Sequence, residues 1–432
     1  MRILFDQVVF EQRNKGNVAL LQAAVDRLNR YWPDATLEVL TEAPYLLKLY
    51  CPNTRPVSLY PWNDWSQGTG KFGTIQRLLP ESVQRLLFEL RDGIKDWRAN
   101  IPAQAEPPQE SRHKPVSDSN VGDYSLDVKT QLFHAIYEAD LIVVTGGGFI
   151  CDSEKPHILK VLKRLEIASQ LNKPTVMVGQ GIGPVTDAEL EAKLRSVLPS
   201  VSLMLIREQK VGRPLLESLG VPLERIIMTG DDAVEMAYEA RTSGWGMGLG
   251  INLRLSHYTE VKGGYIGLIK PVIQRAALNF NAKLISIPIS QDIREADSDV
   301  IRQLIDGYDN SEFGWQHYET PYDLIKKVGR CRLVVTGAFH AAVFALSQGI
   351  PAIGLVKSEE YVIKFTGLKE DFGEGCEVIH LDDDQLQNKL TAAIDSLWTS
   401  AENLRPQLLD AARKQIEWGH AGYQRIYELM CL

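Results

Sequence analysis

One histidine, His340, stands in VVTGAFHAAVFALSQGIPAIGL (334–355), between a run able to form a buried strand and an apolar stretch of helix length. At a helix N-terminus the macrodipole disfavours imidazolium, so the pKa of this ring is expected to fall until an anion docks. A ring charged in that way can donate a proton to a reacting group. The bland alternative is a ring that caps its helix or bonds a neighbouring carbonyl. Arg207 ends the apolar run SLMLIR, where a guanidinium can bind carboxylate or phosphate through two parallel hydrogen bonds. Pairing with Glu208, Asp231 or Asp232 is its structural alternative. Asn252 and Arg254 of INLRLSHY hold a similar place in the second half of the chain.

Glycine turns supply a second kind of chemistry. Gly146, Gly147 and Gly148 directly follow the run LIVVT, where free backbone amides can receive an anion. A tight strand-to-helix connection explains them equally well. Gly179, Gly181 and Gly183 repeat the pattern in GQGIGP, with Thr186 or Asp187 placed to cap the next helix. Asn14, Gly16 and Asn17 precede a helix expected from about Val18, whose N-terminus favours a negative group. Ordinary capping accounts for these residues too. Tyr361 and Lys364, in EEYVIKF, read as part of a loop within reach of the same region, and a solvated lysine is the alternative. Asp152, Glu154, Asp231 and Asp232 are candidate bases, each also explicable as structural. Neither GxGxxG nor a Walker-type GK[ST] occurs, which disfavours dinucleotide and P-loop readings. No histidine pairs with another at metal-ligand spacing, and no metal is expected.

The elements that must position these residues follow from periodicity. Apolar runs such as RILFDQVVF, TLEVL, LIVVTGGG, PTVMVGQG and SLMLIRE alternate with amphipathic stretches such as VALLQAAVDRLNRYW. Continuous apolar strands separated by helices imply a parallel sheet covered on both faces. The scheme repeats from GMGLGINLR onward, giving an α/β chain of two doubly wound, Rossmann-like domains with a joint near 239–246. We expect one domain over 1–240, a second over 241–400, and C-terminal helices over 401–432 that cross back to the first. Residues 55–125 break the pattern as an insertion, an amphipathic helix followed by a polar, proline-rich linker. That helix reads as packed on the first domain, or alternatively as a lid or docking element at a membrane surface.

Bulk properties bound the function. A chain of 432 residues exceeds one ordinary core, and its net charge of −8 argues against nucleic acid as the main partner. No run reaches the roughly 18 apolar residues of a membrane span. The start MRILFDQVVF reads as a first strand, not a signal peptide. Five scattered cysteines without a CxxC pair fit reduced thiols in a cytoplasm.

NKGNVALLQA, VVTGGGF, GQGIGP, MLIREQKVGRPLLESLG, TGDDAV, GINLR and VVTGAFHAAVFALSQGIPAIGL followed by EYVIKFTGL, in this order, resemble the polysaccharide pyruvyl transferase family. The likeness runs over roughly 1–50 and 130–400, and the insertion has no counterpart. It implies a GT-B-like fold with a deep cleft between the domains. It also implies transfer of the enolpyruvyl unit of phosphoenolpyruvate to sugar hydroxyls as a pyruvate ketal, with phosphoenolpyruvate as co-substrate and no other cofactor. By the same likeness Arg207 and His340 meet the donor. In that scheme Arg254 also holds anionic oxygens, and the turns at Gly16–Asn17 and Gly146–Gly148 lend amides. One departure stands out: many members carry arginine two residues before the histidine, and here that position is Ala338. The missing cation leaves two alternatives open, a GT-B transferase using a nucleotide sugar or other anionic donor, and a non-catalytic cleft protein.

Overall fold

The helices and strands lie where the apolar periods place them. A computed structural model describes residues 1–7, 10–59, 126–256, 258–291, 297–313 and 319–431. The first half holds β1 (Arg2–Asp6), α1 (Lys15–Tyr31), β2 (Thr36–Thr41), α2 (Pro44–Tyr50) and β3 (Arg55–Ser58). Beyond residue 125 come α3 (Leu126–Glu138), β4 (Leu141–Val144), β5 (Gly147–Ile150), α4 (Lys155–Gln170), β6 (Thr175–Ile182) and α5 (Ala188–Val197). β7 (Leu203–Ile206), α6 (Gly212–Ser218), β8 (Ile226–Met228) and α7 (Ala233–Glu239) complete it. These strands pair in parallel in the order β3-β2-β1-β4-β6-β7-β8, with β5 beside β6.

The second half contains β9 (Gly248–Asn252), α8 (Gly264–Asn279), β10 (Lys283–Ser286), α9 (Asp297–Ile305), β11 (Ser311–Glu312) and α10 (Pro321–Val328). There follow β12 (Cys331–Thr336), α11 (Phe339–Ser347), β13 (Ala352–Val356), α12 (Glu359–Phe372), β14 (Cys376–His380) and α13 (Leu386–Cys431). The sheet order β11-β10-β9-β12-β13-β14 is the Rossmann order, with the direction of winding reversing between β9 and β12. In the first sheet the reversal falls between β1 and β4. Ligands of such sheets bind outside the carboxyl ends of the strands at these reversals. Thr336 lies opposite Asn252 at one and Val144 opposite Asp6 at the other.

The two halves share packing. Ala19 and Leu20 of α1, with Ala233, Val234 and Ala237 of α7, are buried in the core of the second sheet. α13 is a single helix of 46 residues that begins at Leu386, not a set of helices from 401. At 1.5 Å per residue it spans about 69 Å. Its Leu390, Ile394 and Leu408 join the second core, and its Tyr423 and Ile426 join the first. Pro406 lies inside it without ending it. The lost amide is outweighed by the apolar burial on either side, at Leu404, Leu408 and Ala412.

Three local expectations change. α1 starts at Lys15 rather than near Val18, because Asn14 accepts from the amides of Gly16 and Asn17 as N-cap. EEYVIKF is not a loop but the first turns of α12, capped by Ser358, whose side chain accepts from the Tyr361 amide. The stretch read as an insertion from 55 begins with a sheet strand, since β3 pairs with β2 through Glu38 to Arg55 and onward. The helix, linker and membrane-surface contact read over 60–125 lie outside the described residues. Among the described residues no helix is long and apolar enough to cross a membrane.

Candidate active site

The loops at the carboxyl ends of β7, β8 and β12 bring three side chains together. Arg207 follows β7 and is 4% exposed. Its Nη1 donates to Asp231 Oδ2 at 3.2 Å, and its guanidinium carbon lies 4.3 Å from the ring centre of Phe339, across the seam between the lobes. His340, the next residue on α11, places Nε2 3.7 Å from the same Asp231 oxygen. Asp231 fixes that oxygen by accepting the Ala233 amide on Oδ1 at 3.0 Å. His340 Nε2 is buried and has no hydrogen-bond partner among the described residues. Its separation from Asp231 is too long for a direct bond and suits an intervening ligand atom.

Burial pushes the His340 imidazole down to about 4; Asp231 draws it upward, while Arg207, Lys364 and Arg254 push it further down. The direction is the expected one, but desolvation, rather than the helix dipole, is the largest cause. The ring is therefore neutral at pH 7 within a field of three cations. That field suits an anion, and an anion in it would return the ring to its charged form.

Glycines make this closeness possible. A Cβ on Gly16 would lie 2.1 Å from His340 Nδ1, so α1 of the first lobe abuts the ring from the second with no room for a methyl group. A Cβ on Gly148 would lie 2.4 Å from Lys364 Cε and 2.8 Å from Arg207 Nη2, and one on Gly181 would lie 2.7 Å from Arg207 Nε. Lys364 pairs with Glu360 one turn earlier on α12. Glu360 in turn accepts the Ser153 hydroxyl of the first lobe at 2.5 Å. His340, Arg207, Gly16, Gly148 and Lys364, read separately from the sequence, thus meet in one place.

Other candidates are occupied elsewhere. Asn14 spends its side-chain oxygen on the cap of α1, so the Gly16 and Asn17 amides are not free for a donor. Arg254 forks onto Asp297, with Nε to Oδ1 at 2.8 Å and Nη2 to Oδ2 at 2.7 Å, and its Nη1 donates to Tyr258 at 3.2 Å. Asn252 donates to the same Asp297 at 2.8 Å. Arg254 acts on His340 through its charge, with each of its three nitrogens already donating to a neighbour. Tyr361 is buried and stacks on Tyr258. Gly146 packs under the Gly179 carbonyl, and Gly147 pairs with Gln180 in the sheet, as a tight connection requires. Asp152 accepts the amides of Thr186 and Asp187, a structural role, and Asp187 caps α5. Glu154 adjoins the start of α4. Asp232 turns away from the seam to Arg27 and Tyr423, and burial pushes it up to about 6, against Arg27 and with Asp231.

Two features were missed. Lys15 is 1% exposed, its Nζ is 2.5 Å from the Tyr50 hydroxyl, and burial holds it down to about 7, with Glu319 raising and Arg13 lowering it. A lysine at the first position of a helix opposes the macrodipole, and that was its sequence signal. The Ser153–Glu360–Lys364 chain left no such trace, since it joins residues about 200 apart. Among the described residues, no group of three His, Cys, Asp or Glu side chains is placed to hold a metal ion.

Two facing Rossmann-like lobes with polar groups converging at their seam define a GT-B fold, and solved structures bear this out. HepE of Anabaena in complex with UDP is 14% identical, with 100% of each chain covered and a TM-score of 0.54. MnaA of S. aureus in a structure with UDP is 13% identical, with 94% of this chain and 90% of that one covered and a TM-score of 0.56. A UDP-GlcNAc 2-epimerase from Neisseria meningitidis bound to UDP-GlcNAc is 11% identical, with 97% and 99% covered and a TM-score of 0.54. At these identities the likeness is one of fold. No curated protein matches the chain. The sequence model of polysaccharide pyruvyl transferase matches residues 14–358, so the chain belongs to the polysaccharide pyruvyl transferase family and is a transferase.

Proposed function

We propose that this transferase moves the enolpyruvyl unit of phosphoenolpyruvate onto two hydroxyls of a sugar, in a polysaccharide or glycosylated precursor, leaving a cyclic pyruvate ketal. The observation that carries this reading is the approach of Arg207 and His340, from opposite lobes, to one oxygen of Asp231. Phosphoenolpyruvate carries a carboxylate and a phosphate close together, and the two cations Arg207 and Lys364 both pack against Gly148, which supports a site for such a pair of anions.

The chemistry follows from charge. Docking of the donor raises the pKa of His340, which takes up a proton and gives it to the donor methylene carbon. C2 becomes electrophilic and a sugar hydroxyl attacks it, losing its proton to a base. Asp231, beside the ring, is our choice for that base. The resulting ketal phosphate loses phosphate, and the second hydroxyl attacks C2 to close the ring, its proton leaving with the phosphate. Arg207 and Lys364 act by binding charge more tightly as it moves onto the phosphate oxygens.

The test is phosphate release from phosphoenolpyruvate with a panel of sugar acceptors. Activity is expected in the native protein and a loss of at least about 100-fold in His340→Asn. No release with any acceptor from a folded protein would overturn the reading. A second reading, a nucleotide-sugar donor, is favoured by one observation: Ala338 puts a small buried side chain where many members carry arginine. Thermal stabilisation by UDP- or GDP-sugars and not by phosphoenolpyruvate would select it.

A further inference from the structure

Behind the Asp231 loop lies a cavity of about 230 Å³ that the chemistry above does not use. It is formed between the C-terminal end of α12 and one stripe of α13, with Asp371 on the first and Gln407, Asp410, Lys414, Gln415 and Trp418 on the second. It touches the reacting region through Gly230, the residue before Asp231. A Cβ there would lie 2.5 Å from Gln415 Oε1, so the Gln415 side chain rests against the backbone of that loop. The cavity also borders the lobe seam, since Glu370, at its edge, pairs with Lys210 of the first lobe.

Its lining is polar, and the fold does not use every polar group in it. Gln415 is 3% exposed and its Nε2 has no hydrogen-bond partner among the described residues. A buried amide donor left without a partner is destabilising in a native protein, and a bound group is one reason to keep it. Asp371 makes no hydrogen bond or ion pair among the described residues. Burial pushes its carboxyl up to about 7, and Glu370, Glu208 and Asp231 add to the rise. Near neutral pH it can therefore both give and accept a hydrogen bond. Trp418 is 44% exposed at the rim and offers an indole face.

The charge of the lining decides the ligand class. Its single cation, Lys414, is already paired with Asp410 at 3.1 Å, and the remaining ionisable groups are acids. A phosphate, a nucleotide or a second phosphoenolpyruvate would meet net repulsion. A neutral polyhydroxyl ring is matched on each count, because carboxyls and amides take its hydroxyls and the indole takes its C–H face. The volume falls below the roughly 300–1,000 Å³ of sites for drug-sized ligands, which limits the occupant to about one ring.

We infer that this cavity is a subsite for one neutral sugar ring of the acceptor, an inference that rests on the proposed reading of the acceptor as a sugar. The full chain is titrated with methyl glycosides of glucose, galactose and mannose, and binding is followed by saturation-transfer NMR and Trp fluorescence. At least one glycoside is expected to bind, with affinity lost about tenfold in Trp418→Ala and in Asp371→Ala, while phosphoenolpyruvate binding changes less than twofold. Trp418 is half-exposed at the rim and belongs to no core cluster, so its removal is expected to leave the fold in place, and circular dichroism verifies this. In turnover, the same variants raise the acceptor KM and leave the donor KM unchanged. Absence of glycoside binding to the native protein, or binding unaltered in both variants, overturns the subsite. Glycoside binding lost in the variants without any use of phosphoenolpyruvate upholds the subsite and overturns the donor assignment instead.

Discussion

Gly16→Ala tests the seam most directly. The new methyl carbon would stand 2.1 Å from His340 Nδ1 and 2.2 Å from Cγ, whereas ordinary contact begins at 3.4 Å. The ring, or the lobe that carries it, must yield by roughly 1.3 Å, the difference between those two distances. The obstacle is a packed ring and not the loose end of a flexible chain. Overpacking of this kind costs about 1–3 kcal/mol, and replacing glycine within a helix returns up to about 1 kcal/mol. Net stability should therefore fall by no more than about 3 kcal/mol, too little to unfold a domain with ordinary stability. Activity is far more sensitive, because misplacing a reacting group by about 1 Å can cost 10²-fold. We expect phosphate release from phosphoenolpyruvate to drop about 100-fold, with the melting transition lowered by a few degrees. Native turnover together with a native melting curve would refute the reasoning, since His340 would then not work from the position it occupies here.

Three further outcomes follow from the same geometry. Asp231→Asn removes the carboxylate facing Arg207, so calorimetry should show inorganic phosphate binding severalfold tighter while turnover falls; weaker phosphate binding would contradict a cationic donor pocket. His340 is held at about 4 in the folded chain against 6.5 unfolded. Its contribution is complete above pH 6.5 and is lost as pH falls through 4, because the unfolded ring takes up a proton first. The loss is about 3 kcal/mol, visible as a slope in urea midpoints that His340→Asn abolishes. Arg254→Met leaves Asp297 buried without its partner and should destabilise the chain by about 3–5 kcal/mol in denaturant titration. Undiminished stability with lost donor binding would place Arg254 on the donor instead.

Local patterns carried most of the fold. The runs LIVV and TVMVGQGI are buried along their whole length, as continuous apolar strands in a covered parallel sheet must be. What failed locally was competition between signals. EEYVIKF has polar and apolar residues too closely mixed for a clean helical stripe, and only the Ser358 cap and the burial of Tyr361, Phe365 and Leu368 settle it. Nothing local marks Leu386, so the sequence reading starts the last helices at 401, whereas two cores hold one continuous helix from Leu386. In the site, Arg207 and His340 were legible from their place at strand ends, which in this fold are the rim of the crevice. The engagement of Asn252 and Arg254 by Asp297 was not, because their partner lies more than 40 residues away and carries no motif. The cavity at Asp371 was equally hidden, since it depends on where a long helix crosses the lobe seam.

The loss of arginine at position 338 is less consequential than the motif suggests. Ala338 is 1% exposed, and its amide donates to Thr336 Oγ1 at 2.8 Å, so the position serves as an N-cap packed against the core. The charge around His340 comes from other elements, Arg207 after β7, Lys364 on α12 and Arg254 after β9. Each of the three already has a carboxylate, respectively Asp231, Glu360 and Asp297. Their arrangements differ in one respect. Asp297 also accepts the amides of Ile289 and Ser290, so its hold on Arg254 is part of the fold. Asp231 meets Arg207 through one bond at 3.2 Å, and Glu360 shares its charge with a serine hydroxyl. An incoming anion therefore competes most readily at Asp231, whose single bond to Arg207 is the longest of the three pairs. A monoanion would gain little over the groups it displaces. On the proposed reading, the two anionic groups of the donor meet Arg207 and Lys364, which both lie against Gly148, and the displaced Asp231 is then free to take a hydroxyl proton. On that reading, selectivity for a compact polyanion needs no cation at 338.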